Sequence, residues 1–109
     1  MMIDSFFSFN TMEVIKIQIS LNELLNEKNI NIIDIRDSFK YDLGHIPGAV
    51  NISYYELINN PIKYLDKDKK YYLYCDYGNT SRVLVNKLNS FGYNLVNISG
   101  GYNNYLLIK

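Results

Sequence analysis

The sequence predicts an α/β fold, a central and mostly parallel β-sheet flanked by helices on both faces. Three observations predict it. Short β-branched or aromatic runs alternate along the chain with segments of helical apolar spacing. Two capping boxes, Ser20 to Glu23 and Ser53 to Glu56, mark helix starts within that alternation. Ile30 to Ile35 is dominated by isoleucine, as in a strand covered on both faces. Strands that alternate with helices favour parallel pairing through crossovers.

Taken in order, Val14 to Ile19 alternates apolar and polar residues and reads as a short strand. Leu21, Leu24 and Leu25 give the next segment one apolar stripe behind the Ser20 cap. The Ile30–Ile35 strand ends in Asp34-Ile35-Arg36-Asp37, and Gly44-His45-Ile46-Pro47-Gly48 has turn chemistry. Val50 to Ile52 is a brief strand, and the helix begun at Ser53 must stop before Pro61. Asp66 to Lys70 is a charged connection leading into a strand at Tyr71 to Cys75. A polar loop with one glycine follows, then a helix from about Thr80 to Phe91, with Val83, Leu84, Lys87, Leu88 and Phe91 showing its period. Gly92 stands where a glycine ends a helix. Leu95 to Ile98 is the last strand, and Gly100-Gly101 opens a terminal helix.

Composition narrows the function. At 109 residues the chain is long enough for one cored domain. Its 11 basic and 11 acidic residues balance, so no basic field invites nucleic acid or an anionic membrane. No apolar run approaches the ~20 residues of a membrane span. A lone Cys and a lone His make no structural zinc site, and no metal is expected. A single thiol precludes an internal disulfide and fits a reducing, cytoplasmic setting. Residues 1–12 lack a basic start and a small-residue cleavage site, so they read as a frayed extension rather than a signal peptide. Met12 is an alternative start, and the domain is placed at 13–109.

The chemistry points to Cys75. It closes a strand, precedes Asp76-Tyr77-Gly78-Asn79-Thr80-Ser81, and stands where N–H groups converge at a helix N-terminus. Such a position stabilises a thiolate and a bound anion. We read Cys75 as a nucleophile; the plainer alternative is a small buried hydrophobe. Gly78 permits an anion-cradling backbone path or simply turns the chain. Asp34 and Arg36, at the end of another strand, read as supporting braces, and His45 as a turn residue rather than a base. Tyr77 is the one tyrosine placed to line a pocket mouth.

Four motifs then carry a resemblance: Ile33-Asp34-Ile35-Arg36; Gly44-His45-Ile46-Pro47-Gly48-Ala49; Cys75-x-x-Gly78-x-Thr80-Ser81; and Gly100-Gly101. In this order and spacing the chain resembles a single-domain member of the rhodanese family of sulfurtransferases, from about Ile15 to its end. The resemblance implies the fold already predicted. It implies that Cys75 accepts a sulfane sulfur as a persulfide and passes it to a thiophilic acceptor, a thiol or cyanide. The donor is then thiosulfate, a small persulfide or a sulfur-donor protein, and no cofactor is implied. Residues 76–81 (Asp76, Tyr77, Gly78, Asn79, Thr80 and Ser81) become the substrate-binding loop. Thr80 and Ser81 supply hydroxyls, at least one of them as a helix cap.

The departures from the family pattern also bear on function. Lys40 replaces the acid expected before Tyr41, which directs any ion pair of Arg36 to another carboxylate, such as Asp37 or Asp42. Tyr105 stands where the family often has tryptophan. The loop contains no cation and carries Asp76, and Arg82 follows on the first helical turn. Poor capture of the thiosulfate dianion is therefore expected. Two rivals remain. A phosphatase or arsenate reductase of the same fold calls for arginine where Ser81 stands. A non-catalytic interaction module of this fold usually lacks the cysteine.

Overall fold

The computed structural model describes residues 18–109. Eleven elements follow in order: β1 (Gln18–Ile19), α1 (Leu21–Leu24), β2 (Asn31–Asp34), α2 (Ser38–Leu43), β3 (Val50–Asn51), α3 (Tyr54–Asn59), α4 (Pro61–Tyr64), β4 (Lys70–Tyr74), α5 (Asn79–Asn89), β5 (Asn94–Ile98) and α6 (Gly101–Ile108). The five strands form one sheet in the order β1-β5-β4-β2-β3. Every pair is parallel, so the predicted architecture is observed. The readings of residues 1–12, of Met12 and of the strand before Gln18 lie outside the described residues.

Side chains alternate across the sheet and build a core on each face. Ile33, Tyr71, Leu73, Cys75 and Leu95 pack with Leu57 of α3 and with Leu84, Val85 and Leu88 of α5. Ile32, Tyr72, Tyr74, Val96 and Ile98 pack on the other face with Leu21 and Leu24 of α1, joined by Tyr102 and Tyr105 of α6. Each fully buried aliphatic side chain contributes about 1.5–3 kcal/mol. Leu84, Val85 and Leu88 together outweigh a single cap, and α5 has no side-chain cap: its N-cap is Gly78 in the left-handed conformation. The expectation that Thr80 or Ser81 caps α5 is therefore corrected.

Both predicted capping boxes form, Ser20 with Glu23 and Ser53 with Glu56. The second holds the Glu56 carboxyl below its ordinary value, chiefly through the Ser53 N–H. The helix it opens ends before Pro61, and Pro61 then starts α4, where its fixed φ suits a first turn. Helix α2 was not foreseen. It buries no residue, so it has no apolar stripe to read. Its one sequence signal is Asp37, whose side chain accepts the Lys40 N–H at 2.9 Å. Among the described residues, no helix is long and apolar enough to cross a membrane.

Candidate active site

Cys75 follows the last residue of β4 and is 7% exposed. The central strand thus delivers its thiol to the C-terminal edge of the sheet, where ligands bind in open α/β folds. Sγ accepts the N–H of Gly78 at 3.2 Å and that of Ser81 at 3.3 Å. Gly78 has φ +95°, and an added Cβ would stand 2.8 Å from the Gly100 nitrogen. Gly78 is buried, not exposed with the rest of a surface loop.

The loop is held from behind by α6. Tyr102 N–H donates to the Cys75 carbonyl and Asn103 N–H to the Asp76 carbonyl, each at 2.9 Å. Both carbonyls are thereby occupied away from the sulfur. This close approach explains Gly101: at φ +59°, its Cβ would collide with the Cys75 carbonyl oxygen and lie 2.8 Å from that of Asp76. Cys75, Asp76, Tyr77, Asn79 and Thr80 line a cavity of about 170 Å³ over the thiol. Tyr77 is 68% exposed at its rim. Arg82 is exposed and is absent from this lining.

Ser81 points the other way. It is fully buried, with Oγ 3.2 Å from Sγ and a hydrogen bond of 2.5 Å to Asn97 Oδ1. Asn97 Nδ2 in turn donates to Gln18 Oε1 at 2.8 Å and to the Gly78 carbonyl at 3.2 Å. Sequence reasoning missed Asn97 and Gln18. The available signal was a polar residue inside the apolar Leu95–Ile98 run.

Asp34 and Arg36 form a buried brace rather than part of the sulfur cavity. Arg36 Nη2 donates to Asp34 Oδ2 at 2.7 Å and to the Gly44 carbonyl at 2.7 Å. Tyr74 hydroxyl donates to Asp34 Oδ2 at 2.6 Å and accepts the Ile46 N–H at 3.0 Å. The brace ties β2 and β4 to the turn at Gly44–Gly48, so two of the sequence motifs serve one network. Burial works against the Arg36 charge, but its hydrogen bond and attraction to Asp34 prevail and raise its pKa. Burial, then the bond to Asp34, pushes the Tyr74 phenol far above its usual range. His45 is a turn residue, as read: Nδ1 donates to the Tyr41 carbonyl at 2.8 Å and the ring stacks on Tyr41.

Two expectations about charge are corrected. Arg36 pairs with Asp34 and lies 3.8 Å from Asp76, rather than meeting Asp37 or Asp42. The Asp76 carboxylate is offset after all, by Lys40 Nζ at 2.7 Å. The hydrogen bond that Lys40 donates to Asp76, then the charge of that carboxylate, raises the Lys40 pKa. Lys40 comes from α2, the helix missed in the sequence. A second cavity of about 400 Å³ adjoins this cluster and is bordered by Arg36, Lys40, Asp76, Tyr102 and Leu106.

The model of the rhodanese-like domain matches residues 18–107. The chain belongs to the rhodanese-like family. A rhodanese-related protein from Thermoplasma volcanium superposes with a TM-score of 0.75 at 33% identity, over 83% of this chain and 90% of that one. The human single-domain sulfurtransferase TSTD1 shares the fold, with a TM-score of 0.71 at 24% identity, over 85% and 97% of the two chains. An adenylyltransferase and sulfurtransferase, uba4 of Ogataea parapolymorpha, is 30% identical over 90 residues, 77% of this chain. A tRNA uridine(34) hydroxylase of Onion yellows phytoplasma is 38% identical over 74 residues, 63% of this chain. The rhodanese-like chain spans 22% and 23% of the lengths of these two relatives. Relatives named for different reactions share the domain, so its own site must decide the chemistry.

Proposed function

We propose that this rhodanese-like domain is a sulfurtransferase that carries sulfane sulfur as a persulfide on Cys75. The observation that carries the reading is the pair of N–H groups, from Gly78 and Ser81, directed at a thiol beneath a small cavity. Fixed donors favour negative charge at the sulfur without reorganisation during reaction. The Cys75 thiolate attacks the outer sulfur of the donor. A bond forms from Sγ to that sulfur, and the donor's own bond to it breaks. The donor fragment leaves with the electron pair, as sulfite from thiosulfate or as a thiolate from a persulfide. A thiol or cyanide acceptor then attacks the terminal sulfur, and Cys75 leaves as the thiolate. The electrons remain on sulfur, so the cycle requires no cofactor.

The cavity lining holds no cation of its own, and its one carboxylate, Asp76, already takes up the charge of Lys40 beside it. Donors that do not depend on a cationic partner, including a protein-bound persulfide, suit it better than thiosulfate. A lone thiol of this kind belongs in a reducing compartment such as the cytoplasm. A phosphatase reading lacks its arginine clamp, since Ser81 occupies that position and is buried against Asn97.

The test is the intact mass after incubation with thiosulfate, and separately with a persulfide-loaded donor enzyme. Gain of one sulfur, removed by cyanide with release of thiocyanate, is the expected result. A chain that never gains sulfur from either donor overturns the proposal.

A further inference from the structure

The Ser81 hydroxyl is oriented by Asn97. The Gly78 carbonyl can only accept, so the Asn97 amide must turn Nδ2 toward it. Gln18 Oε1 takes the same amino group. That fixes Asn97 Oδ1 toward Ser81, 2.5 Å from Oγ. Two oxygens so close share a proton, and only the serine has one to give. Ser81 Oγ therefore turns lone pairs, not its proton, toward Sγ at 3.2 Å. The neutral thiol satisfies that geometry by donating its own S–H to Oγ.

Ionising Cys75 upsets the arrangement. Either the Ser81 hydroxyl stays on Asn97 and presents lone pairs to an anion, or it swings to the sulfur. In the second case Oδ1 of Asn97, a residue 1% exposed, is left without a donor. Either outcome costs free energy in a buried site. A persulfide escapes this cost. There Sγ is neutral and the charge lies on the terminal sulfur, out in the cavity.

We propose that Asn97 is a positioning residue that, through the Ser81 hydroxyl, disfavours charge on Sγ and so shifts charge toward the terminal sulfur of the loaded state. The proposal rests on the persulfide reading for its purpose, but its electrostatic core is testable without sulfur transfer. Other charged and titratable groups surround the loop: Asp76 with Lys40 and Arg36, Asp34 and Tyr74 behind them, Tyr77 at the rim, Tyr102 on α6 and Arg82 on α5. All stay unchanged in the variants below.

Cys75 is the only cysteine, so its alkylation by iodoacetamide reports its thiolate alone. The rate is measured against pH for wild type, Asn97→Leu, Asn97→Asp, Ser81→Ala and Ser81→Ala/Asn97→Leu, each checked for folding by circular dichroism. Asn97→Leu releases the hydroxyl to the sulfur, and alkylation on the acid side of the profile rises about tenfold, the worth of one hydrogen bond to a charged group. Asn97→Asp gives up both Nδ2 hydrogen bonds and adds a carboxylate that by itself repels a thiolate, so it is also measured in the Ser81→Ala background, and its shift to higher pH is larger where the hydroxyl is present. In the Ser81→Ala background Asn97→Leu has no further effect, because its action passes through the hydroxyl. A profile unmoved or moved upward by Asn97→Leu overturns the proposal, as does an Asn97→Leu shift that persists without Ser81. If Asn97→Leu does not fold, Asn97→Asp is read against Ser81→Ala/Asn97→Asp, and an upward shift no larger with Ser81 than without it overturns the proposal. Failure of Cys75 to take up sulfur would instead defeat the proposed function and leave these profiles interpretable.

Discussion

Lys40 Nζ lies 2.7 Å from Asp76 Oδ2, so a helix outside the loop neutralises the one charged residue inside it. With Arg36 3.8 Å from the same carboxylate and Asp34 on Arg36, two cations face two anions. Asp76→Asn therefore exposes a net positive charge beside the cavity. It should lower the KM for thiosulfate roughly two- to fivefold at low salt, as befits a half-exposed pair. Lys40→Gln should raise it by a similar factor, and the double variant should return near wild type. Steady-state kinetics at low and high ionic strength provide the check, because screening shortens from ~30 Å at 0.01 M to ~3 Å at 1 M. Salt-insensitive changes would mean that the charges do not face the donor's approach.

Cys75→Ser should fold with near-native stability and lose all sulfur transfer. The thiol occupies a core edge where a hydroxyl nearly matches its volume and finds the same N–H donors. Thiocyanate formation above background in the serine protein would remove Cys75 from the mechanism.

Gly78→Ala should lose more than ~90% of kcat/KM and also destabilise the fold by about 1–3 kcal/mol. The positive φ and the Gly100 nitrogen in the way both oppose a Cβ. Denaturant midpoints read alongside kinetics test this. Unchanged values in both would show that the loop tolerates another path.

Alkaline stability should depend on Tyr74. Its folded pKa is raised by burial and by Asp34. The stability linked to it is fully present below the unfolded tyrosine value of about 10 and is lost as pH rises beyond it. Wild-type Tm should therefore fall more steeply above that pH than the Tm of Tyr74→Phe. The variant should start lower at neutral pH, since Asp34 and the Ile46 N–H each lose a partner. Parallel Tm curves would contradict the assignment.

The strands, the two capping boxes and the cysteine loop were legible because each follows a local rule of periodicity, capping or turn chemistry. Helix α2 was not, because nothing on it is buried and only Asp37 announced it. Its absence from the reading also hid Lys40, and with it the neutralisation of Asp76. Ser81 was recognised as a loop hydroxyl, but its partner Asn97 lies 16 residues further on in β5. Such a pairing arises from sheet order and leaves no local trace. Likewise, Asp34 and Arg36 were placed as braces, whereas Tyr74 and the Gly44 carbonyl entered only once β2 and β4 were adjacent.

The hydrogen bonds from Tyr102 and Asn103 to the carbonyls of Cys75 and Asp76 make the cradle a product of distant chain segments. A synthetic peptide spanning residues 71–90 would contain the thiol and every loop residue. It would lack the amides that hold those carbonyls turned outward, and its cysteine would behave as an ordinary solvated thiol. During translation, each of these amides is added 27 residues after the carbonyl that it holds. Transplanting this reactivity into another scaffold therefore requires the strand before α6 and the glycine pair at its start, not the loop alone.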